Sequence, residues 1–282
     1  MIVSIASGKG GTGKTMVAVS FALSLIGVVP KEIQLLDCDV EEPNARLFIQ
    51  SLDAQKKTVT VPVPVIDASL CNLCGRCAEV CVYNAIAVTQ KKALVFPELC
   101  KSCGACSYLC PQKAITEKEK KVGFVEEAKG SGIALVSGKL EIGEIDAVSV
   151  IKAVKKRVDP QKINVIDSPP GTSCPVLETL QESDFCILVT EPTPFGLNDL
   201  KLAVETLRKL QIPFGVIINR CDLGSDCVEA YCEQESISVL LKIPFKREIA
   251  NAYSRGIPFV EVAPEYRKRF QTVFQNIVKE LP

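Results

Sequence analysis

Short runs of apolar residues alternate along the chain with longer stretches in which apolar residues recur at helical spacing. The runs lie at residues 2–6, 33–36, 133–136, 163–166, 185–190, 214–218 and 239–243. Unbroken apolar strands are typical of a parallel sheet that is covered on both faces. The helical stretches begin at Lys14 and span residues 144–158 and 198–210. This alternation predicts an α/β fold with a doubly wound, mostly parallel sheet.

Composition narrows the classes of function. The 282 residues include 33 basic and 33 acidic side chains, so the net charge is zero and no nucleic-acid partner is expected. Histidine is absent, which removes imidazole acid–base chemistry and histidine metal ligands. The first residues do not form a signal peptide, and the longest apolar run, 16–29, is too short for a membrane span. We therefore expect a cytoplasmic protein whose 14 cysteines stay reduced.

The strand–helix alternation breaks between about residues 61 and 121, where cysteines are dense. We interpret residues 62–120 as a small domain inserted into a larger one formed by 1–61 and 121–282. The stretch 61–65 leads into the insert and the charged stretch 117–121 leads out. The insert contains a repeat with the spacing Cys-x₂-Cys-x₂-Cys-x₃-Cys. It occurs at Cys71, Cys74, Cys77 and Cys81 and again, 29 residues later, at Cys100, Cys103, Cys106 and Cys110.

This cysteine spacing resembles that of bacterial ferredoxins, in which one motif supplies three ligands to a cluster and the other motif supplies the fourth. The resemblance implies a ferredoxin-like α+β insert with two [4Fe–4S] clusters. The first would be held by Cys71, Cys74, Cys77 and Cys110, and the second by Cys100, Cys103, Cys106 and Cys81. Zinc is the alternative, although structural zinc sites usually separate their Cys-x₂-Cys pairs by a longer spacer. One departure is that Val82 follows Cys81, where the ferredoxin pattern has proline.

A glycine-rich stretch between the first strand and the first helix satisfies the phosphate-loop pattern G-x-x-x-x-G-K-[ST]. Its nucleotide-binding residues are Gly8, Gly10, Gly11, Thr12, Gly13, Lys14 and Thr15. The glycines let backbone N–H groups wrap phosphate, Lys14 reaches the β- and γ-phosphates, and the Thr15 hydroxyl binds Mg²⁺. The N-terminus of the following helix favours the anion.

Lys9 makes the loop resemble the deviant Walker A motif of the MinD/ParA, Mrp and nitrogenase iron protein superfamily of P-loop ATPases. In that family the early lysine reaches the nucleotide of a partner chain, so the resemblance implies ATP hydrolysis that depends on dimerisation. It also implies that Asp39 orients the attacking water and that Asp37 supports the Mg²⁺ shell. Helix capping is the alternative for each of these aspartates.

Further positions follow from the same resemblance. Asp167 would hold Mg²⁺, and Gly171 would donate its N–H to the γ-phosphate. Asn219 would meet the adenine edge, and Pro244 belongs to a loop placed against the base. Capping is again the alternative for Asp167, and turn formation alone would explain Asn219 and Pro244.

Six cysteines lie outside the ferredoxin spacing: Cys38, Cys174, Cys186, Cys221, Cys227 and Cys232. We expect six free thiols, most of them packed in the core. Cys38 and Cys174 neighbour the two aspartate motifs, so a cluster bridging two chains is an alternative for that pair.

The C-terminal residues Phe270, Val273, Phe274, Ile277, Val278 and Leu281 fall on one helical stripe. We expect this helix to dock on the sheet rather than on a membrane surface.

Three functions fit these motifs. The first is an ATPase that gates electron transfer through the clusters, acting as a homodimer, or as a heterodimer with a paralogous ATPase, together with a redox partner protein. The second is an iron–sulfur cluster assembly or carrier ATPase. The third is a MinD/ParA-like positioning or scaffolding protein with a redox-sensing insert.

Overall fold

The computed structural model describes residues 1–49 and 51–281. The chain divides into two compact units. The first contains Met1–Lys57, Val125–Lys139 and Ile151–Pro282, and the second contains Thr58–Phe124 and Leu140–Val150. The predicted insert, 62–120, lies within the second unit.

The described residues form eleven strands and ten helices. The strands are β1 Ile2–Ala6, β2 Ile33–Asp37, β3 Ser51–Ile66, β4 Ile86–Val88, β5 Ala93–Val95, β6 Ile115–Gly130, β7 Ile133–Leu140, β8 Ile163–Asp167, β9 Phe185–Thr190, β10 Phe214–Asn219 and β11 Val239–Ile243. The helices are α1 Lys14–Ser24, α2 Arg76–Glu79, α3 Ala105–Tyr108, α4 Ala147–Lys155, α5 Cys174–Leu180, α6 Pro194–Leu210, α7 Cys227–Gln234, α8 Arg247–Ser254, α9 Phe259–Val262 and α10 Glu265–Glu280. A short 3₁₀ helix spans Ala45–Phe48.

Nine strands form one sheet in the order β11-β10-β9-β1-β8-β2-β7-β6-β3, and β4 and β5 form an antiparallel pair. Strand β1 runs parallel to β8 and β9, β2 runs parallel to β8 and β7, and β10 runs parallel to β9 and β11. The predicted α/β fold and all seven predicted strands are confirmed.

Two segments that the sequence analysis treated as connections into and out of the insert are strands. Residues 61–65 belong to β3 and residues 117–121 belong to β6. Strand β3 comes last in the sheet order, and such an edge position tolerates Pro62 and Pro64, which lack a backbone N–H.

The predicted helix over 144–158 is shorter than expected. Helix α4 begins at Ala147, so Ile145, which falls in the predicted range, lies before the helix and is 59 % exposed. Helix α6 begins earlier than predicted because Pro194 starts its first turn and the Thr193 hydroxyl accepts a hydrogen bond from the Gly196 N–H at 3.0 Å.

The central strands are buried on both faces. Along β9, Phe185, Ile187 and Val189 join the core under α1 and α10, whereas Cys186 and Leu188 join the core under α6. This two-residue alternation is the pleat of a strand with two apolar faces. It explains why the central strands appear as unbroken apolar runs in the sequence.

The C-terminal helix α10 docks on the first unit as expected. The Phe270 ring lies 6.0 Å from Phe21 of α1 and 5.8 Å from Phe259, both edge to face. Val278 is an exception to the predicted stripe, since it is 47 % exposed. None of the described helices is both long enough and apolar enough to cross a membrane.

Candidate functional site

The loop between β1 and α1 has the backbone that a phosphate loop requires. Gly11 and Gly13 have φ values of 81° and 88°, a region that side chains disfavour. A Cβ at Gly8 would lie 2.2 Å from the backbone oxygen of Asp199, so only glycine fits there. Gly10 has open space around its α-carbon. The loop thus combines a close approach to the Asp199 backbone at Gly8 with left-handed backbone conformations at Gly11 and Gly13.

Lys14, the first residue of α1, lies among aspartates from two strand ends. Its Nζ donates to Asp167 Oδ1 at 2.8 Å and to Asp39 Oδ2 at 3.4 Å. Asp37 and Asp167 are register partners at the carboxyl ends of β2 and β8. Burial lowers the pKa of Lys14, but the charges of Asp167, Asp39 and Asp37 outweigh it and raise that pKa above its usual value. Lys14 therefore stays cationic and offsets part of the negative charge of the aspartates.

The aspartates differ in the hydrogen bonds they accept. Asp37 is fully buried, and its two oxygens accept from the backbone N–H groups of Asp39, at 3.2 Å, and Ala45, at 3.0 Å. Burial, followed by the charge of Asp167, raises the pKa of Asp37 well above its usual value. Burial also raises the pKa of Asp39, against the opposing effect of Lys14. Asp37 thus shapes the loop that carries Asp39 and also accepts from the first N–H group of the 3₁₀ helix Ala45–Phe48.

Two buried oxygens beside the phosphate loop, Asp167 Oδ2 and Thr12 Oγ1, have no hydrogen-bond partner among the described residues. Thr15 is half-buried in the first turn of α1. Magnesium prefers carboxylate, hydroxyl and phosphate oxygens. The donor set of Asp167 and Thr15 therefore fits a Mg²⁺ ion that accompanies a nucleotide.

Asn219 lies at the end of β10, is 5 % exposed and supports the phosphate loop directly. Its Nδ2 donates to the Thr12 carbonyl at 2.8 Å, and its Oδ1 accepts from the Arg220 N–H at 3.0 Å. Pro244 follows β11 and is half-buried. In this structure the Asn219 amide serves the loop.

The Gly171 N–H donates to the Ser7 carbonyl at 2.9 Å. To contact a γ-phosphate, the Gly171 N–H must first release its hydrogen bond to the Ser7 carbonyl. Gly171 has a φ of 94°, so the position itself favours glycine.

Lys9 forms an ion pair that sequence reasoning missed. Its Nζ lies 3.7 Å from Glu191 Oε2, and the other Glu191 oxygen pairs with Arg220. Glu191 follows β9 and is largely buried, whereas Lys9 is partly exposed. The sequence signal was a carboxylate directly after an apolar strand.

Tyr253 of α8 also went unnoticed in the sequence. Its ring centroid lies 5.1 Å from that of Phe48, in the 3₁₀ helix after Asp39. Burial and then the charge of Asp167 raise the pKa of its phenol. No sequence motif marks this residue.

The second unit gathers its eight motif cysteines around two separate cavities. One cavity is lined by Cys71, Cys74, Cys77 and Cys110, and we call it the first cavity. The other is lined by Cys81, Cys100, Cys103 and Cys106, and we call it the second cavity. Each thus combines three thiols of one motif with the last thiol of the other. No three acidic or cysteine side chains among residues 1–49 and 51–281 converge as ligands of a single metal ion.

The 29-residue repeat also appears in the backbone. Positive φ angles recur at Leu73 and Ser102, at Gly75 and Gly104, and at Asn84 and Lys113. Helices α2 and α3 occupy equivalent positions.

Sulfur atoms accept backbone hydrogen bonds in both halves of the repeat. The Ala85 N–H donates to Cys81 Sγ at 3.2 Å, and the equivalent Ala114 N–H donates to Cys110 Sγ at 3.3 Å. Hydrogen bonds to sulfur are a feature of iron–sulfur sites. Soft thiols around a cavity, with N–H donors beside them, fit a cubane cluster.

The other six cysteines form no disulfide among the described residues, and the same holds for the eight motif cysteines. Cys38, Cys186 and Cys232 are buried, and burial raises the pKa of all three thiols, that of Cys232 to about 11. Cys174, at the start of α5, is exposed. Cys38 and Cys174 therefore sit in opposite environments.

A glycine-rich loop joins a strand to a helix of a parallel sheet, and a buried lysine lies among carboxylates at the strand ends. Together these features define a P-loop nucleotide-binding protein. The chain belongs to the family described as CobQ/CobB/MinD/ParA nucleotide binding domain, which matches residues 3–259. The resemblance carried by Lys9 and the phosphate loop is therefore confirmed.

Relatives and solved structures agree with this family. Two uncharacterized proteins of Methanocaldococcus jannaschii are 31 % and 34 % identical, over 93 % and 78 % of this chain and 92 % and 78 % of theirs. An iron–sulfur cluster carrier protein of Pyrococcus abyssi is 28 % identical over 47 % of this chain and 52 % of its own.

Among solved structures, the cell division ATPase MinD of Pyrococcus furiosus has a TM-score of 0.57 at 23 % identity, covering 99 % of this chain and 98 % of its own. The MinD of Pyrococcus horikoshii with Mg-ADP has a TM-score of 0.59 at 19 % identity, covering 98 % and 95 %. These two structures share the fold.

Proposed function

We propose that this chain is a Mg²⁺-dependent ATPase whose second unit holds two [4Fe–4S] clusters, and that paired chains couple ATP binding to electron transfer. The observation that carries the proposal is the sorting of eight cysteines into two cavities of four. The same chain contains a phosphate-loop motif whose Lys14 forms ion pairs with Asp39 and Asp167, which supports the nucleotide site in this proposal.

The thiols that line each cavity are the cluster ligands in this proposal, with the last cysteine of each motif crossing to the other cavity. A bound cluster supplies a site that accepts and donates one electron. Cys81 and Cys110 receive N–H bonds, which stabilise negative charge on their sulfurs. These hydrogen bonds thereby influence the reduction potential of the cluster in each cavity.

In the nucleotide site, Lys14 exchanges its aspartate partners for the β- and γ-phosphates. Thr15 and Asp167 hold Mg²⁺, and Asp39, released from Lys14, orients the attacking water. Asp37 keeps the Asp39 backbone in place through its hydrogen bond. Asn219 fixes the Thr12 carbonyl, and with it the curvature of the loop.

Lys9 acts on the nucleotide of a second copy of the chain. Within one chain it pairs with Glu191 at 3.7 Å, a contact weak enough to exchange for a phosphate. A cation that arrives at the γ-phosphate stabilises transition-state charge, an effect worth about 10³–10⁵ in rate for arginine fingers. Arg220 remains to neutralise Glu191 when Lys9 leaves.

An anaerobic redox titration followed by electron paramagnetic resonance tests the coupling. We expect Mg·ATP to shift the midpoint potential of at least one cluster in the wild type and to have no effect in Lys9→Ala. The exposed Lys31→Ala variant is the matched control and keeps the shift. Potentials that are indifferent to Mg·ATP in the wild type contradict the coupling.

A cluster carrier is the second candidate, favoured by the similarity to the Pyrococcus abyssi carrier. It predicts that the loaded protein passes a cluster to an apo-ferredoxin within minutes. Retention of both clusters over hours in the presence of the acceptor excludes this candidate.

A further inference from the structure

The 29-residue repeat is broken at charged side chains that line the two cavities. The first cavity is lined by Arg76, whereas the second has Ala105 at the equivalent position. The second cavity is lined by Glu117, whereas the first has Val88. Two sites that share a backbone and a ligand set therefore differ in local charge.

The Glu117 carboxylate is held against the second cysteine loop. The Ser107 hydroxyl donates to its Oε1 at 2.7 Å, and a Cβ at Gly104 would lie 3.5 Å from the same oxygen. In the first half of the repeat, Ala78 and Val88 stand where Ser107 and Glu117 stand in the second. The hydrogen-bonded carboxylate thus belongs to one cavity only.

A further cation lines the second cavity. Lys101 stands there, and Asn72 takes the equivalent position in the first cavity. The lining charges are thus +1 in the first cavity, from Arg76, and zero in the second, where Lys101 and Glu117 cancel. The first cavity is the more positive by one charge.

We infer that the clusters in the two cavities differ in electron affinity. Arg76 raises the reduction potential of the cluster in the first cavity, and Glu117 lowers the reduction potential of the cluster in the second cavity. The inference rests on the proposed function, since it requires a cluster in each cavity. Reduction adds one negative charge, which a nearby carboxylate opposes and a guanidinium favours. A single electron that enters the second cavity therefore passes to the first, and the second returns to its oxidised state.

The test is a redox titration of the full chain with dithionite, followed by electron paramagnetic resonance. The wild type should show two one-electron waves. Glu117→Gln keeps the hydrogen-bonding shape and moves the lower wave upward, changing its reduced-to-oxidised ratio by about threefold to tenfold, where tenfold is about 59 mV. Arg76→Gln moves the higher wave downward. Glu119→Gln, two residues further along β6, is the charge-matched control and leaves both waves in place.

Salt dependence gives a second measurement that needs no variant. Arg76 and Glu117 are both exposed, so high ionic strength screens their charges and narrows the difference between the two midpoint potentials. A single common potential in the wild type, a gap that salt does not narrow, or movement of the same wave by both variants overturns the inference and leaves the proposed function intact. Absence of cluster signals overturns the proposed function itself.

Discussion

Replacing Asn219 by alanine separates two roles of this side chain, support of the phosphate loop and contact with adenine. The amide donates to the Thr12 carbonyl at 2.8 Å and is 5 % exposed, so alanine leaves that carbonyl without its buried partner. An unsatisfied buried polar group costs about 1–3 kcal/mol. Because Thr12 is part of the loop, we expect the cost to fall on phosphate binding, which weakens by about 5- to 150-fold.

Isothermal titration calorimetry with Mg·ATP and with Mg·tripolyphosphate measures the two roles separately. Support of the loop predicts that Asn219→Ala weakens both ligands by the same factor. Asn276→Ala, exposed on α10, is the matched control and binds both as the wild type does. Weaker ATP binding with unchanged tripolyphosphate binding would show that the amide acts on the base, and would refute this reasoning.

The remaining predictions concern the lysine, a glycine and the free thiols. Lys14→Met leaves three aspartates without their cation and should lower the free energy of unfolding in urea by about 3–5 kcal/mol at neutral pH. The charge of Lys14 lowers the pKa of Asp37 and of Asp39, so its loss raises both, and protonation then stabilises the folded variant more than the folded wild type. The deficit should therefore shrink as the pH falls, and a deficit that grows contradicts this. Gly8→Ala forces a Cβ to 2.2 Å from a backbone oxygen and should abolish calorimetric ATP binding, whereas near-normal affinity would mean that the loop moves freely. Iodoacetamide labelling followed by mass spectrometry should find Cys174 modified within minutes and the buried thiols intact, and equal labelling of all of them would disprove their burial.

The sequence predicts the central sheet well because its strands are buried on both faces. An unbroken apolar run such as 185–190 has few other interpretations in a chain of this pattern. Strands β3 and β6 were missed for the opposite reason. Residues 117–121 are all charged, so they have no apolar face that marks a strand. Residues 61–65 have alternating valines, but the two prolines between them argue against a strand.

The residues of the functional site also divide into those that a sequence motif reveals and those that only the fold brings together. Lys14 and the glycines are adjacent in the chain, so one motif reveals them. The pair of Lys9 with Glu191 joins residues that are 182 positions apart, and only the parallel pairing of β1 with β9 brings them together. Tyr253 packs against Phe48 from a helix that no motif identifies.

The iron and acid-labile sulfide content of anaerobically purified protein tests the central claim most directly. Two cubanes in the two cysteine-lined cavities predict about eight iron and about eight sulfide per chain, with no zinc. Zinc without sulfide, or about four iron per chain, would contradict the account.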